Sequence, residues 1–204
     1  MKRMMSVLFA SVLVLAACGS DDSSSSEGEA SSDAEFNDAE FNDADVSFAQ
    51  GMIPHHEQAV EMSDLALTNS ESDEVQELAE EIQAAQDPEI ETMEGFLADW
   101  GQEAPSGGMD EIDGMDDGDD GMEEMEGMQG MMSADEMADL SAATGAEFDT
   151  MFLEMMIEHH EGAITMGEVQ LADGANDDAK ELAEEIIEAQ QAEIDQMESL
   201  LQDA

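Results

Sequence analysis

Two stretches of the chain carry apolar side chains at three- and four-residue spacing, which is the pattern of a helix with one buried face. In the stretch from residue 73 to residue 99, the repeating positions hold Leu78, Ile82, Gln86, Ile90, Met93 and Leu97. The other stretch has the equivalent pattern from Leu182 to Leu201. No run of alternating β-branched residues occurs in the mature chain, so the pattern predicts helices and no strands.

An internal repeat explains why these two stretches are alike. Residues 48–100 align without a gap on residues 152–204, and 24 of the 53 aligned pairs are identical. Each copy reads as a helical hairpin, with helices over about 45–67 and 73–99 and a polar break at 68–72 in the first copy. A single hairpin cannot bury its apolar face. We therefore predict an all-α fold, a four-helix bundle of roughly 110 residues built from two duplicated hairpins.

The N-terminal residues have the form of a bacterial export signal. Lys2 and Arg3 precede an apolar run from Met4 to Leu15, which is too short to span a bilayer as a mature helix. The run ends in small residues before Cys18, the only cysteine, and this resembles a lipobox. We expect residues 1–18 to be a lipoprotein signal peptide, with lipidated Cys18 anchoring the exported protein to the extracytoplasmic face of the cell membrane. An ordinary signal peptide is the alternative.

Other segments differ in composition from the hairpins. Residues 19–44 are acidic and Ser-rich, and we expect a disordered tether there, ahead of the first hairpin unit at 45–100. Residues 101–132 are an acidic linker rich in Met, Gly and Asp, which we expect to be unstructured. The sequence from Ser133 to Glu136 has the form of a capping box, so residues 133–204 are expected to add a short helix before the second hairpin.

The linker also has an unusual content of methionine. Met122, Met125, Met128 and Met131 recur at every third position. Disordered segments are normally poor in methionine, because an exposed thioether has no packing role and is readily oxidised. Two interpretations remain open at this point: weak capture of Cu(I) or Ag(I), and low-complexity drift.

The charge balance excludes one class of partner. The chain has 55 acidic residues, and its only Lys and Arg residues are Lys2, Arg3 and Lys180. Because no basic surface is available to neutralise phosphates, nucleic-acid binding is excluded, and an anionic membrane surface would repel the chain. Metal cations and cationic partners are compatible with this charge, which also serves solubility or tolerance of salt.

All four histidines lie in two matched pairs, within MIPHHEQAVEM at 52–62 and MIEHHEGAITM at 156–166. On a helical wheel, the two histidines of a pair fall at the two margins of the stripe that faces the core, with a small alanine between them. Methionines lie on or beside the same stripe. The predicted metal ligands are His55, His56, His159, His160, Met52, Met62, Met156 and Met166. Core packing by these side chains is the alternative.

The donor types narrow the choice of metal. Imidazole with thioether suits Cu(I), and the imidazoles also suit Cu(II), whereas zinc usually recruits cysteine or carboxylate with histidine. The Glu-x-x-His motif of di-iron bundles is missing. Gln86, Glu89, Gln190 and Glu193 face inward and either orient the imidazoles or form the rim. Pro54 either kinks the first helix beside the histidines or begins it.

The repeated pattern resembles a bacterial family catalogued as domain of unknown function 305. The resemblance rests on Phe-x-x-x-Met-Ile-x-His-His-x-x-Ala-x-x-Met at 48–62 and 152–166, and on Gln-x-x-Glu-Ile-x-x-Met at 86–93 and 190–197. It implies a ferritin-like four-helix bundle, often exported. It also implies copper binding through histidine and methionine, as in some members of the family.

The sequence thus predicts an extracytoplasmic copper-binding lipoprotein that sequesters or delivers metal or confers resistance, with copper-handling proteins as potential partners. Silver is a further expected ion. A ferritin-like metal-dependent oxidase is one alternative, although no nucleophile or acid–base pair indicates an enzyme. A metal-free helical interaction module is the other.

Overall fold

A computed structural model of the chain describes residues 41–105 and 129–203, and every element in those ranges is a helix. The helices are α1 (Asp43–Asn69), α2 (Asp73–Asp99), α3 (Ala134–Ala142), α4 (Ala146–Asp173) and α5 (Asp177–Asp203). The pairs α1–α2 and α4–α5 form two hairpins, and α1 packs on α4 between them. The all-α bundle of two duplicated hairpins is therefore confirmed. In the described ranges, no helix is both long enough and apolar enough to cross a membrane.

Polar residues at the helix starts explain where most of the helices begin. Asn42 accepts hydrogen bonds from the backbone N–H groups of the first turn of α1, Ser72 does so for α2 and Ser133 for α3. Asn176 accepts from the backbone N–H of Ala179 in α5, at 2.9 Å. These side chains satisfy N–H groups that have no partner within the helix. The capping box predicted at Ser133 is present.

The apolar core is divided into two clusters by a polar layer. One cluster contains Phe48, Met52, Met93, Leu97, Ala163 and Ile186 among its members. The other contains Ala59, Met62, Leu78, Phe152, Met156 and Met197 among its members. Buried between these groups along the helices are His55, His56, Gln86, His159, His160 and Gln190. The bundle thus has two apolar ends and a polar middle.

Two details differ from the sequence expectations. Pro54 lies inside α1, eleven residues after its first residue, so the interpretation that Pro54 begins the helix is wrong. Residues 129–132, the end of the segment expected to be an unstructured linker, pack on the bundle and bury Met132. The signal peptide, Cys18, residues 19–40 and linker residues 106–128 lie outside the described residues.

One buried carboxylate joins the two hairpins at the start of α1. Asp45 accepts hydrogen bonds from Gln170 Nε2 at 2.6 Å and from the backbone N–H groups of Asn42, Ala175 and Asn176. Burial alone raises the pKa of Asp45, but the hydrogen bonds from these four groups outweigh burial and lower it. The charged form is therefore the one that fits this position.

We predict that Asp45→Asn destabilises the bundle, because its amide group would direct N–H atoms toward donors. The expected loss is about 1.5–3 kcal/mol of unfolding free energy, the range for hydrogen bonds to a charged group. Urea unfolding followed by the fluorescence of Trp100, the only tryptophan, measures it. Asp43→Asn is the matched control, since Asp43 is exposed in the same helical turn; its cost should stay below about 1 kcal/mol. Equal losses in both variants would contradict the role given to Asp45.

Candidate metal centre

The fold brings the two distant histidine pairs together. His55 and His56 lie on α1, His159 and His160 lie on α4, and all four side chains are fully buried. The rings of His55 and His159 are 3.7 Å apart between centroids, at an interplanar angle of 42°. The ring of His160 is 6.4 Å from that of His159. The sequence placed these histidines at the margins of the buried stripe, and the neighbouring helices bury both margins.

The outer histidine of each pair contacts a glutamate of its own hairpin. His56 Nε2 lies 2.8 Å from Glu89 Oε2, and His160 Nε2 lies 2.7 Å from Glu193 Oε2. A carboxylate accepts a hydrogen bond, so in the neutral form of each ring this geometry assigns the proton to Nε2 and the lone pair to Nδ1. Glu89 and Glu193 each contact one imidazole, and the two contacts repeat with the internal symmetry of the chain.

Several nitrogen atoms in the polar layer have no protein partner. Of the described imidazoles, the Nδ1 atoms of His55, His56 and His160 and both ring nitrogens of His159 are buried without a hydrogen bond. The side-chain amides of Gln86 and Gln190 are likewise unpartnered. Buried polar atoms are nearly always satisfied, because leaving one unpaired costs about 1–3 kcal/mol. The unprotonated imidazole nitrogens and the amide oxygens of this layer therefore fit a ligand that accepts lone pairs, as a metal ion does.

The electrostatics of the layer keep the central imidazoles neutral. Burial, and then the proximity of His56, lower the pKa of His55 to about 3, although its contact with the Gln129 backbone opposes the shift. Burial also lowers the pKa of His159 well below its usual value, and the neighbouring histidines add to that effect, although a contact with the His55 backbone opposes it. Neutral imidazoles are the form that binds metal, so neither ring has to lose a proton at neutral pH.

The methionines predicted as ligands lie in the core on both sides of the layer. Met52, Met62 and Met156 are fully buried, whereas Met166 is only partly buried. Each lies on the same helix as a histidine pair and within two helical turns of it.

Two further methionines were not among the predicted ligands. Met93 and Met197 are fully buried and lie one helical turn after Glu89 and Glu193 respectively. Methionine occupies this equivalent position in both repeat copies, and that repetition is the signal that could have identified them.

The described residues contain no group of three or more histidine, cysteine, aspartate or glutamate side chains arranged to hold a metal. Donors of another kind also lie beside this layer. Thioether sulfur is the donor that the surrounding core supplies in quantity, and it favours soft ions such as Cu(I).

Comparison with known proteins places this architecture in a family. A family model described as a domain of unknown function, DUF305, matches residues 45–201. The chain belongs to the DUF305 family. No curated protein matches the chain.

Solved DUF305 structures share the fold. A DUF305 protein from Streptomyces coelicolor is 32% identical, with a TM-score of 0.66, over 78% of this chain and 93% of the other. A DUF305 fragment from Deinococcus radiodurans is also 32% identical, with a TM-score of 0.67, over 80% and 98% of the two chains.

The chain is also similar to CopM. CopM in its Cu(II)-bound form is 31% identical, with a TM-score of 0.61, over 78% of this chain and 96% of CopM. CopM structures with Cu(I) and with Ag cover the same shares of the two chains at 28% identity, with TM-scores of 0.60 and 0.61.

We predict that the metal-free protein loses stability as the pH falls below about 6.5. The folded pKa of His55 is about 3, against 6.5 for an ordinary histidine, so the unfolded chain binds more protons between these values. Each such histidine contributes a slope of up to about 1.4 kcal/mol per pH unit. Urea unfolding with a chelator present, between pH 7 and pH 5, measures it.

The double variant His55→Gln/His159→Gln is the comparison for this slope. Its stability should depend less on pH over the same range, because both depressed pKa values are removed. A wild-type stability that stays flat between pH 7 and pH 5 would contradict the neutral, buried state of these rings.

Proposed function

We propose that this chain binds copper in its polar layer and serves in metal sequestration, delivery or resistance. The observation that carries the proposal is the meeting of two duplicated histidine pairs in the buried core, with unpartnered ring nitrogens and depressed pKa values. A histidine buried only for packing needs a hydrogen-bond partner at each ring nitrogen as much as any polar group does. Neither ring nitrogen of His159 makes a hydrogen bond of ordinary geometry, although a contact with the His55 backbone opposes part of the fall in its pKa.

The similarity to CopM supports copper and silver as the ions. CopM has been solved in Cu(II)-bound, Cu(I)-bound and Ag-bound forms. The donors in this chain are of the matching type, since imidazole nitrogen and thioether sulfur suit these ions. The proposed ligands are His55, His56, His159 and His160 with Met52, Met62, Met156 and Met166. Met93 and Met197 are added on the basis of their burial and position.

Glutamate and glutamine residues of α2 and α5 are proposed to position the ligands. Glu89 and Glu193 hold His56 and His160 in one tautomer, which presents Nδ1 to the interior. Gln86 and Gln190 are buried one turn before them and have amide atoms without a partner. We propose that these amides orient the donor groups around the ion.

The place of action is proposed from the sequence. A lipid on Cys18 would anchor the bundle outside the cytoplasmic membrane, where copper-handling proteins could load and unload it. The ion is then cargo, and the proposal assigns no catalytic residue.

Anaerobic Cu(I) titration against a chromophoric chelator tests copper binding. The wild type should withdraw copper from the chelator, and the variant with all four histidines changed to alanine should withdraw much less. The variant retains every linker methionine, so its uptake measures any contribution from that segment. Equal, weak uptake by both proteins, with helical circular dichroism retained, would refute copper binding in the layer and favour a metal-free module.

We also predict that the double variant Glu89→Gln/Glu193→Gln binds copper about 10- to 100-fold more weakly, the usual cost of losing an orienting partner. The amide can donate as well as accept, so it no longer fixes the imidazole tautomer. Glu91→Gln/Glu198→Gln is the matched control, because these glutamates are exposed on the same two helices. Equal affinities for the two double variants would exclude the positioning role.

A further inference from the structure

The last four residues of the linker lie across the bundle at the histidines. Residues 129–132, which we call the strap, are held to α1 by one side chain. Gln58 Nε2 donates to the Met132 carbonyl oxygen at 2.9 Å, and the Met132 backbone N–H donates to Gln58 Oε1 at 2.8 Å. Both residues are buried, so this pair of hydrogen bonds is shielded from water.

The strap lies directly on the backbone of α4 at its other end. A Cβ atom on Gly162 would be 2.0 Å from the Gln129 carbonyl oxygen, so only glycine fits there. Gly130 has a φ of +87°, and a Cβ on it would lie 2.9 Å from the His159 carbonyl oxygen. The close approach therefore requires glycine on both sides of the contact.

The repeat locates the strap relative to the histidines. Gln58 and Gly162 occupy equivalent positions in the two copies, each two residues after the second histidine of its pair. Because the strap contacts both of them, it spans the seam between α1 and α4. His55 and His159 meet at this seam, and the Gln129 carbonyl oxygen lies 3.4 Å from His55 Nε2.

We propose that the strap closes the α1–α4 seam over the contacting pair His55–His159 and sets the rate at which small molecules and ions reach these rings. For metal ions, this inference rests on the proposed function. Opening the strap breaks the two hydrogen bonds to Gln58 and withdraws Met132 from the core, while α1 and α4 stay packed. Reagents reach the rings in the open state, so weakening the strap speeds access.

The first experiment measures access without metal. Diethyl pyrocarbonate acylates unprotonated imidazole, and its reaction with the full chain is followed by absorbance and by mass spectrometry of the His55 and His159 peptides. We expect Gln58→Ala to raise the modification rate of these two residues by roughly 10- to 100-fold, as two lost hydrogen bonds imply. An unchanged rate in a variant that keeps its helical circular dichroism would overturn the proposal that the strap limits access to these rings.

Gln50→Ala is the matched control for this variant. Gln50 is also on α1, and its Nε2 also donates to a backbone carbonyl, that of Glu103, at 2.9 Å. Residue 103 lies at the other end of the linker from the strap. Acylation of His55 and His159 in Gln50→Ala should proceed at the wild-type rate. An equal acceleration in both variants would show that general loosening of the bundle exposes the histidines, and would overturn the strap.

Gly162→Ala perturbs the strap by a second route. The added methyl group collides with the Gln129 carbonyl oxygen and displaces the strap, with both hydrogen-bonding groups of Gln58 still present. Its histidines should also react faster than those of the wild type. Gly95→Ala is the control, since a Cβ there meets nothing within 4 Å in helix α2. If Gly162→Ala reacts at the rate of Gly95→Ala while folded, the strap does not cover the rings.

The second experiment measures metal exchange. The full chain is loaded with Ag(I), and its transfer to an excess of chelator is followed in a stopped-flow instrument. Loading and release should both be faster in Gln58→Ala, with a smaller change in the dissociation constant than in either rate. Faster acylation with unchanged exchange rates would mean that the ion uses another route. That result would overturn the proposal that the strap sets the rate of metal exchange. If the wild type binds no metal, the proposed function fails, and the acylation rates still decide whether the strap covers the rings.

Discussion

The architecture depends on a polar layer buried at mid-height in the bundle. Four imidazoles and two glutamine amides lie there with almost no exposure, and each carries atoms that need a partner. Buried polar groups set helix register more strictly than apolar side chains do, because a shift leaves their atoms without partners. Contacts in this layer join α1 to α2, α4 to α5 and α1 to α4, and the two apolar clusters fill the ends on either side of it.

Adjacent histidines suit this constraint because neighbouring side chains on a helix diverge by about 100°. His56 is directed toward α2, where it contacts Glu89, whereas His55 is directed toward α4 and contacts His159. The same division holds for His160 and His159 in the second copy. One residue of each pair joins the two helices of a hairpin, and the other joins the hairpins. A single dipeptide therefore contributes to both levels of packing and to the candidate site.

Much of this was accessible from the sequence, because periodicity and duplication are both properties of residue order. The hairpin boundaries agree within about two residues, and the polar capping residues mark where the helices begin. The wheel foresaw that His55 and His56 border the buried stripe. It could not show that His55 meets His159, because the contact joins two helices whose relative placement the wheel does not contain. The inward glutamates were named, but their pairing with single histidines needed coordinates.

The strap could not have been foreseen, for a related reason. Residues 129–132 have the composition of the linker before them, and contacts with residues distant in the sequence, such as Gln58 and Gly162, give them a fixed place. Pro54 is the opposite case. Its missing N–H suggested a helix start, yet the capping box at Asn42 sets the start eleven residues earlier, and packing on both sides keeps the helix continuous through the proline.

The difference between Gln58 and Gly162 has a consequence for the ancestry of the bundle. Two identical hairpins assembling as a homodimer would place either two glutamines or two glycines at the seam. Two glutamines would leave no room for a crossing backbone, and two glycines would provide nothing to hold it. Joining the copies in one chain allowed a single pair of equivalent positions to diverge. The two halves of the seam thereby became different, because one holds the strap by hydrogen bonds and the other admits its backbone.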